Sequence, residues 1–217
     1  MPLADNTILI NQQRLKVLRD LALIDAPTET IYDKVTILAS KVIGVPVSLV
    51  SMVAADYQFF KSFVGLPEPW ASERRTPLSH SFCQHVVASN EPLIVTDARD
   101  HELVHDNLAI PDLNVIGYLG IPLTLQDGKR LGSFCVIDGE PHEWTDLEIA
   151  IVKELAAIVT YEIDLKAMAQ SDSSYQEKLD KAHRQIDNLI QETDTENVSQ
   201  ATFLEQVKAA REEYFTL

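Results

Sequence analysis

The chain has 217 residues, of which 46% are hydrophobic and 24% charged, a composition typical of a globular protein of one domain with an extension or two small domains. Its formal net charge of −15 argues against nucleic acid as a partner, because carboxylates repel the phosphate backbone that Lys and Arg would neutralise. The same charge disfavours binding to anionic membrane surfaces.

Cysteine usage and the N-terminus predict a cytoplasmic location. The two cysteines, Cys83 and Cys135, lie far apart in the chain and form no CxxC pair, which is typical of a reducing compartment. The first residues lack the basic and apolar regions of a signal peptide. No run approaches the ~20 apolar residues that a membrane span requires.

The first third of the chain predicts two helices followed by a β-hairpin. Apolar side chains recur every three or four positions over residues 11–23 and 28–44, which is the helical period. Residues 45–53 and 57–65 are rich in β-branched and aromatic side chains, which favour strands. Residues 54–56 would form the turn between them.

The centre of the chain predicts further strands with short helices among them. Ser79 can cap a helix that runs to Ala88, and another short helix is placed near residues 102–107. Asp127-Gly128 is a strong turn signal between two of the strands. The strands themselves are expected at residues 92–97, 115–125 and 130–138.

A long helix is predicted from Thr145, because Thr145 and Glu148 have the spacing of a capping box. Apolar residues then recur at heptad a and d positions from Ile158 to Leu189, which is typical of a coiled coil. Asp172 interrupts this apolar seam, within a Ser-Asp-Ser-Ser segment of weak helix propensity.

A narrow apolar stripe on a polar helix needs a partner to cover it. The main prediction is a parallel stalk formed with a second copy of the chain. The alternative is a hairpin that folds back on the chain's own last segment. Residues 191–198 are polar and predict a break before a final helix over residues 199–214.

Five motifs occur in order through the centre of the chain, and together they resemble the GAF domain of bacterial sensory proteins over roughly residues 12–168. They are Arg75-Thr76-Pro77, Ser81-Phe82-Cys83, Pro92 to Ala98, Tyr118 to Leu123 and Leu131 to Asp138. The resemblance implies an α+β fold with a central six-stranded antiparallel sheet, flanking helices and a long C-terminal coiled-coil helix. It also implies a ligand pocket on one face of the sheet, roofed by residues 75–88 and 97–114.

The resemblance divides the chain into three parts: an N-terminal tail (1–11), a GAF-like sensory domain (12–168) and a C-terminal helical stalk (169–217) with a break near 191–198. GAF domains commonly dimerise through their first and last helices, so a homodimer is expected. A separate signalling output protein is a further expected partner, whereas nucleic acid and membrane are not.

The implied function is sensory: a small-molecule ligand of unknown identity binds in the pocket, and the dimeric C-terminal helix transmits its presence. No cofactor is identified. A ligand-free dimerisation module, with the pocket filled by side chains, is the alternative. The candidate ligand-binding residues are Phe60, Phe82, Cys83, Asp97, Asp106 and Tyr118.

Catalysis is not expected. One GAF-like family reduces free methionine sulfoxide with cysteines near the pocket, but Cys83 and Cys135 stand at other motif positions, which leaves this reductase as a weaker alternative. Bilin attachment is not expected either, because Cys83-Gln84-His85 departs from the adjacent Cys-His pair of bilin-binding GAF domains. His80, Cys83 and His85 do not share one helix face, which argues against a metal site.

Two glycines, Gly120 and Gly132, lie inside predicted strands, where glycine weakens a sheet unless something must approach closely. A helix packed on the sheet or the floor of a pocket would explain them.

Overall fold

A six-stranded antiparallel sheet forms the centre of the computed structural model, which describes residues 6–170, 172–195 and 198–215. The strand order is β3-β2-β1-β6-β5-β4, and every neighbouring pair is antiparallel. The predicted α+β fold with this sheet is therefore confirmed. The strands are β1 (Val47–Val53), β2 (Tyr57–Val64), β3 (Arg75–Pro77), β4 (Leu93–Val95), β5 (Gly117–Thr124) and β6 (Arg130–Asp138).

Both predicted hairpins are present. Residues 54–56 connect β1 to β2, as the sequence indicated. Between β5 and β6 the chain turns at Gly128, whose φ of +84° is a conformation that glycine adopts without steric cost. The Gly128 amide donates to the carbonyl of Leu125 at 2.8 Å, which closes the turn.

The helices surround the sheet. Those that precede the long C-terminal segment are α1 (Asn6–Leu9), α2 (Gln12–Asp20), α3 (Thr30–Ile43), α4 (Trp70–Glu73), α5 (Cys83–Ser89) and α6 (Ala109–Leu113). The two helices predicted in the first third are α2 and α3. Asn11 caps α2 by accepting from the Arg14 amide at 3.1 Å, and Gly44 ends α3 with a φ of +82°.

The short central helices differ from their predicted positions. The helix expected to start at Ser79 begins at Cys83, because Leu78–His80 forms a 3₁₀ turn and the Ser81 hydroxyl accepts from the Gln84 amide at 3.1 Å. The helix expected over residues 102–107 is wrong: those residues form turns, and α6 begins after Asn107, whose side chain accepts from the Ala109 amide at 2.9 Å.

Alternation along the strands gives the sheet two apolar faces. One face, which includes Leu119 and Phe134, packs against α2, α3 and the C-terminal helices, here called the helical layer. The other, here called the cavity face, includes Leu49, Tyr118 and Cys135 and packs against α5. Adjacent residues of one strand thus belong to different cores.

The C-terminal segment consists of three helices: α7 (Asp146–Ala169), α8 (Ser174–Thr195) and α9 (Gln200–Phe215). The predicted capping box is confirmed, since the Thr145 hydroxyl accepts from the Glu148 amide at 3.2 Å and the Glu148 carboxylate accepts from the Thr145 amide at 2.8 Å.

The seam predicted from Ile158 to Leu189, with its flaw at Asp172, does not lie on one helix, because α7 ends before Asp172. The Asp172 carboxylate accepts from the Ser174 amide at 2.9 Å, a local contact that starts a new helix instead of continuing the old one. The weak helix formers around Asp172 thus end α7 rather than merely weakening one layer of a coiled coil.

The chain covers its own apolar stripe, as in the fold-back alternative, and α9 takes part in this. The first reversal, however, falls between α7 and α8 and not near residues 191–198. His183 of α8 contacts the Glu162 carboxylate of α7 at 2.8 Å, and Lys34 of α3 pairs with Asp187 of α8. Side chains of the predicted seam are buried within one chain, among them Ala182, Ile186 and Leu189. Phe203 and Val207 of α9 are buried with them.

Parts of the predicted tail and break lie outside the described residues. Residues 1–5 and 196–197 are among them, while Asn6–Leu9 forms α1 and places Leu9 in the core. None of the helices in the described ranges is both long and apolar enough to cross a membrane.

Candidate functional site

A cavity lies between the cavity face and the segments that cover it. Its volume is about 30 Å³, which is room for one or two water molecules. The cover consists of residues 66–67, the 3₁₀ turn, α5 and α6. Among the described residues that line the cavity none is Asp, Glu, Lys or Arg. The lining is therefore apolar apart from a few hydrogen-bonding side chains.

Four of the six candidate ligand-binding residues line this cavity. Phe60 lies on β2, Tyr118 on β5, and Phe82 and Cys83 where α5 begins. The Phe82 and Tyr118 rings are 5.2 Å apart between centroids, so the aromatic residues form one wall.

The other two candidates lie elsewhere. The Asp97 carboxylate is held by Arg99, whose Nε donates to it at 2.8 Å. Asp106 lies exposed in a surface turn. Neither residue lines the cavity.

Two thiols meet at the base of the cavity, although their residues are far apart in the sequence. Cys83 Sγ lies 3.9 Å from Cys135 Sγ and 3.3 Å from the Tyr118 hydroxyl, which lies 3.4 Å from the Ser133 hydroxyl. We call these four residues the thiol cluster. Both cysteines are free thiols and no more than 2% exposed.

The two thiols of the cluster differ in the direction of their pKa shifts. Hydrogen bonding from Cys135 and, more weakly, from Tyr118 lowers the pKa of Cys83 to about 7 against the opposing effect of burial. Burial raises the pKa of Cys135 well above its ordinary value, and it raises that of the Tyr118 phenol too.

The polar side of the cavity consists of Gln58 and His80, which the sequence did not single out as ligand-binding residues. His80 Nε2 lies 2.9 Å from the Asp112 carboxylate of α6, and its Nδ1 lies 3.0 Å from the Ser79 hydroxyl. Gln58 accepts from the Ser81 hydroxyl at 2.6 Å. The His80–Asp112 contact thus ties α6 to the 3₁₀ turn across the cover.

One of the two strand glycines belongs to this site. A Cβ at Gly120 would lie 2.3 Å from the Tyr118 hydroxyl and 2.7 Å from its ring, so Gly120 provides the space that the ring occupies. This agrees with the pocket-floor explanation. For Gly132 neither predicted explanation applies, because its Cβ would meet the Ser51 carbonyl oxygen of the adjacent strand at 2.0 Å.

A six-stranded antiparallel sheet with a helical layer on one face and a covered cavity on the other places the chain among α+β domains. The sequence model of the GAF domain matches residues 27–163, and the chain belongs to the GAF domain family. The resemblance seen in the sequence is thereby confirmed.

A protein with a named activity is similar to part of this chain. A cyclic di-GMP phosphodiesterase of Pseudomonas aeruginosa is 27% identical over 141 residues, which cover 64% of this chain. The match covers only 23% of that protein's length.

The solved structures that resemble this chain show its fold alone. The GAF domain of a phosphoenolpyruvate-protein phosphotransferase from Coxiella burnetii is 22% identical, with a TM-score of 0.55, over 74% of this chain and 96% of that one. The PixJ GAF domain of Thermosynechococcus elongatus, in its blue-light absorbing form, is 19% identical, with a TM-score of 0.53, over 74% and 95%. Free methionine-R-sulfoxide reductase from Neisseria meningitidis is 17% identical, with a TM-score of 0.50, over 71% and 91%.

Proposed function

We propose that this chain is a cytoplasmic sensory domain that binds a small, uncharged molecule in the cavity and transmits its presence to the helical layer. The observation that carries the proposal is the lining, which combines aromatic and aliphatic side chains with Gln58 and His80. A charged ligand would bury its charge there without a carboxylate, Lys or Arg among the lining residues to pair with it.

Binding requires the cover to move, because about 30 Å³ does not hold a metabolite. The part suited to move is α6, which has five residues and is tied to the 3₁₀ turn by His80 and Asp112. The Asp112 side chain is 51% exposed, so water competes for this contact and its loss costs little.

Transmission would use the alternation of β5 and β6. Tyr118 faces the cavity, whereas the next residue, Leu119, packs in the core of the helical layer. A shift of β5 caused by an opened cavity therefore acts on α7, which packs on β5 and β6. The ligand moves this equilibrium only as far as its affinities for the two arrangements differ.

The homodimer and the separate output protein remain part of the proposal. The apolar stripe on which the parallel stalk was based is covered by the chain's own helices, so a dimer would use another surface. Regulation of an output protein accords with the similarity to part of a protein named as a cyclic di-GMP phosphodiesterase.

The small cavity also favours a second candidate, the ligand-free interaction module. Phe60, Phe82 and Tyr118 already fill most of the space under the cover. The reductase alternative needs the same opening of the cover, since free methionine sulfoxide is larger than the cavity. It further requires that Cys83→Ser abolish a measurable sulfoxide reduction.

Thermal unfolding with a panel of uncharged heterocyclic and aromatic metabolites, with nucleotides as charged comparisons, tests the proposal. An uncharged ligand at 100 times its Kd should raise Tm by about 5–10 °C. Leu113→Trp, which fills the cavity from α6, should abolish the shift. The matched control is Leu108→Trp, at an exposed position beside α6, which should retain it.

Two outcomes contradict ligand binding in this cavity. One is a panel in which no uncharged compound raises Tm, which favours the interaction module. The other is a shift of equal size in Leu113→Trp, which places the ligand elsewhere on the chain.

A further inference from the structure

The thiol cluster contains more polar chemistry than core packing requires. The two cysteines of the chain lie in contact with each other inside an apolar core, where a buried thiol ordinarily acts as a small hydrophobic side chain. Here the Tyr118 and Ser133 hydroxyls converge on the same site, and hydrogen bonds of this kind stabilise a thiolate.

We propose that Cys83 and Cys135 form a dithiol–disulfide couple that a small hydroperoxide oxidises by way of the cavity. This chemistry does not depend on the proposed ligand. In a reducing compartment such a couple is transient and serves redox sensing instead of permanent cross-linking.

The geometry gives the two thiols different roles. Cys83 lines the cavity, whereas Cys135 is fully buried behind it and does not. The volume of about 30 Å³ admits a molecule the size of hydrogen peroxide and excludes an amino acid or a glutathione disulfide. Cys83 is therefore the attacking thiol, and Cys135 is the resolving thiol.

The proposed reaction takes place in two balanced steps. The Cys83 thiolate attacks one oxygen of hydrogen peroxide, the O–O bond breaks, and the leaving hydroxide combines with the proton that Cys83 released to form water. Cys135 then attacks the sulfur of the resulting sulfenic acid. The S–S bond forms, and hydroxide leaves with the Cys135 proton as a second water. Two thiols lose two electrons to one peroxide. The change is reversed by exchange with two equivalents of a thiol when local opening of the chain exposes the disulfide.

Disulfide formation would alter the cavity. The sulfur atoms must approach by about 2 Å to reach bonding distance, which draws the start of α5 towards β6. Cys83 then no longer offers the Tyr118 hydroxyl a thiol partner, and only Ser133 remains in the cluster to hold it. Through Tyr118, oxidation would also change the affinity of the cavity for its ligand. Only this consequence rests on the proposed function.

The test uses the full, reduced, ligand-free chain treated with hydrogen peroxide. Unreacted thiols are then alkylated with N-ethylmaleimide in denaturant, and the protein is analysed by intact and peptide mass spectrometry. In the wild type both thiols should lose reactivity together, with an intramolecular link between the peptides that contain Cys83 and Cys135. Cys135→Ser should give a dimedone-trapped sulfenic acid at Cys83, and Cys83→Ser should leave Cys135 fully alkylated.

A variant that keeps both thiols guards against loss of the fold. Tyr118→Phe removes the hydroxyl that contacts Cys83 and Ser133, so it should slow oxidation severalfold at pH 7, and the difference should shrink at pH 9. Each variant is checked for an unchanged circular dichroism spectrum and cooperative melting.

Three results overturn the inference: equal oxidation of both single-cysteine variants, only intermolecular links in the wild type, or no oxidation of the folded chain. If the chain binds metabolites but forms no link, this inference is refuted and the proposed function stands. If it forms the link but binds no metabolite, the proposed function is refuted and this inference stands.

Discussion

The Tyr118 ring lies above Gly120 on its own strand, and this pair shapes the floor of the cavity. Tyr118 is only 1% exposed, so its ring has little space into which it could withdraw. An added methyl group at Gly120 would therefore overpack the cavity face, whereas one at Gly132 would collide with the backbone of β1.

We predict that Gly120→Ala lowers the free energy of unfolding by about 1–3 kcal/mol, as overpacking a filled core does. Gly132→Ala should cost more, because a strand backbone yields less than a side chain. Urea denaturation of the two variants measures both values.

A double-mutant cycle with Tyr118→Phe separates the two mechanisms. Removing the hydroxyl, which is the closest atom to the added methyl group, should recover part of the loss in Gly120→Ala and none in Gly132→Ala. Equal coupling in the two cycles would show that the ring is not what Gly120 accommodates.

Asp164 lies on α7, and its carboxylate accepts from the backbone amide of Gln126 at 3.4 Å. Burial raises the pKa of Asp164 to about 6, above its unfolded value of ~3.9. The native state therefore binds more protons between pH 4 and 6, and stability from this group is lost as pH rises through that window.

Asp164→Asn should remove this loss of stability, because Asn carries no charge and its side-chain oxygen still accepts from the Gln126 backbone amide. The variant should be more stable than the wild type by about 1–2 kcal/mol at pH 7, with the gain vanishing near pH 4. Urea denaturation at several pH values measures the difference. Glu143→Gln, at an exposed position, is the control and should show no such gain.

At this scale the sequence identified the aromatic cavity residues but not the thiol pair. Phe60 and Tyr118 could be placed because strand alternation and the family resemblance agree on them. The Cys83–Cys135 contact depends on how α5 docks on β6, which no local pattern encodes. Asp106 lies outside the cavity because the covering helix is α6, further along the chain than predicted. Asp97 lies outside it as well, with its carboxylate held by Arg99.

At the scale of elements, the interruption between α7 and α8 determines the arrangement of the C-terminal segment. A heptad pattern shows that an apolar stripe must be covered, but it does not show whether a second chain or the same chain covers it. The decisive signal was the Ser-Asp-Ser-Ser segment around Asp172, whose side chain starts α8. Intrinsic propensity thus favours the arrangement that the apolar spacing alone had made the alternative.

The contact between α8 and α7 should depend on pH. A hydrogen bond to the buried Glu162 carboxylate raises the pKa of His183, with Asp180 adding to the effect and Lys34 opposing it. Stability from this pair is fully present below the unfolded His pKa of ~6.5 and is lost as pH rises through the raised value.

We therefore predict that the hydrogen-exchange protection of α8, corrected for intrinsic rates, falls severalfold from pH 6.5 to 8.5. Glu162→Gln, which carries no charge, should abolish this dependence. The same fall in Glu162→Gln would assign the effect to another group.

At the scale of the whole molecule, the sheet separates a cavity on one side from a helical layer on the other, and β5 and β6 contribute to both. The sequence predicted both hairpins and α7 because each rests on local periodicity, turn residues and capping. The six-stranded sheet was implied by the family resemblance. The packing of α8 and α9 on α7 and α3 joins distant segments, so it required the structure.

The apolar seam of α8 is either internal to one chain or part of a dimer interface, and a substitution at Ile186 distinguishes the two. Ile186 is fully buried in the core that contains Ile158 and Phe203, so Ile186→Ala should cost about 2–4 kcal/mol. If the seam is internal, the loss in Tm is the same at every protein concentration, and the mass measured by light scattering does not change. A parallel stalk predicts instead that the variant dissociates and that the loss grows on dilution, because a dimer is stabilised by mass action. Lys181→Ala, at an exposed position on the same helix, is the control and should alter neither quantity. A fall in the mass of Ile186→Ala alone would restore the intermolecular seam.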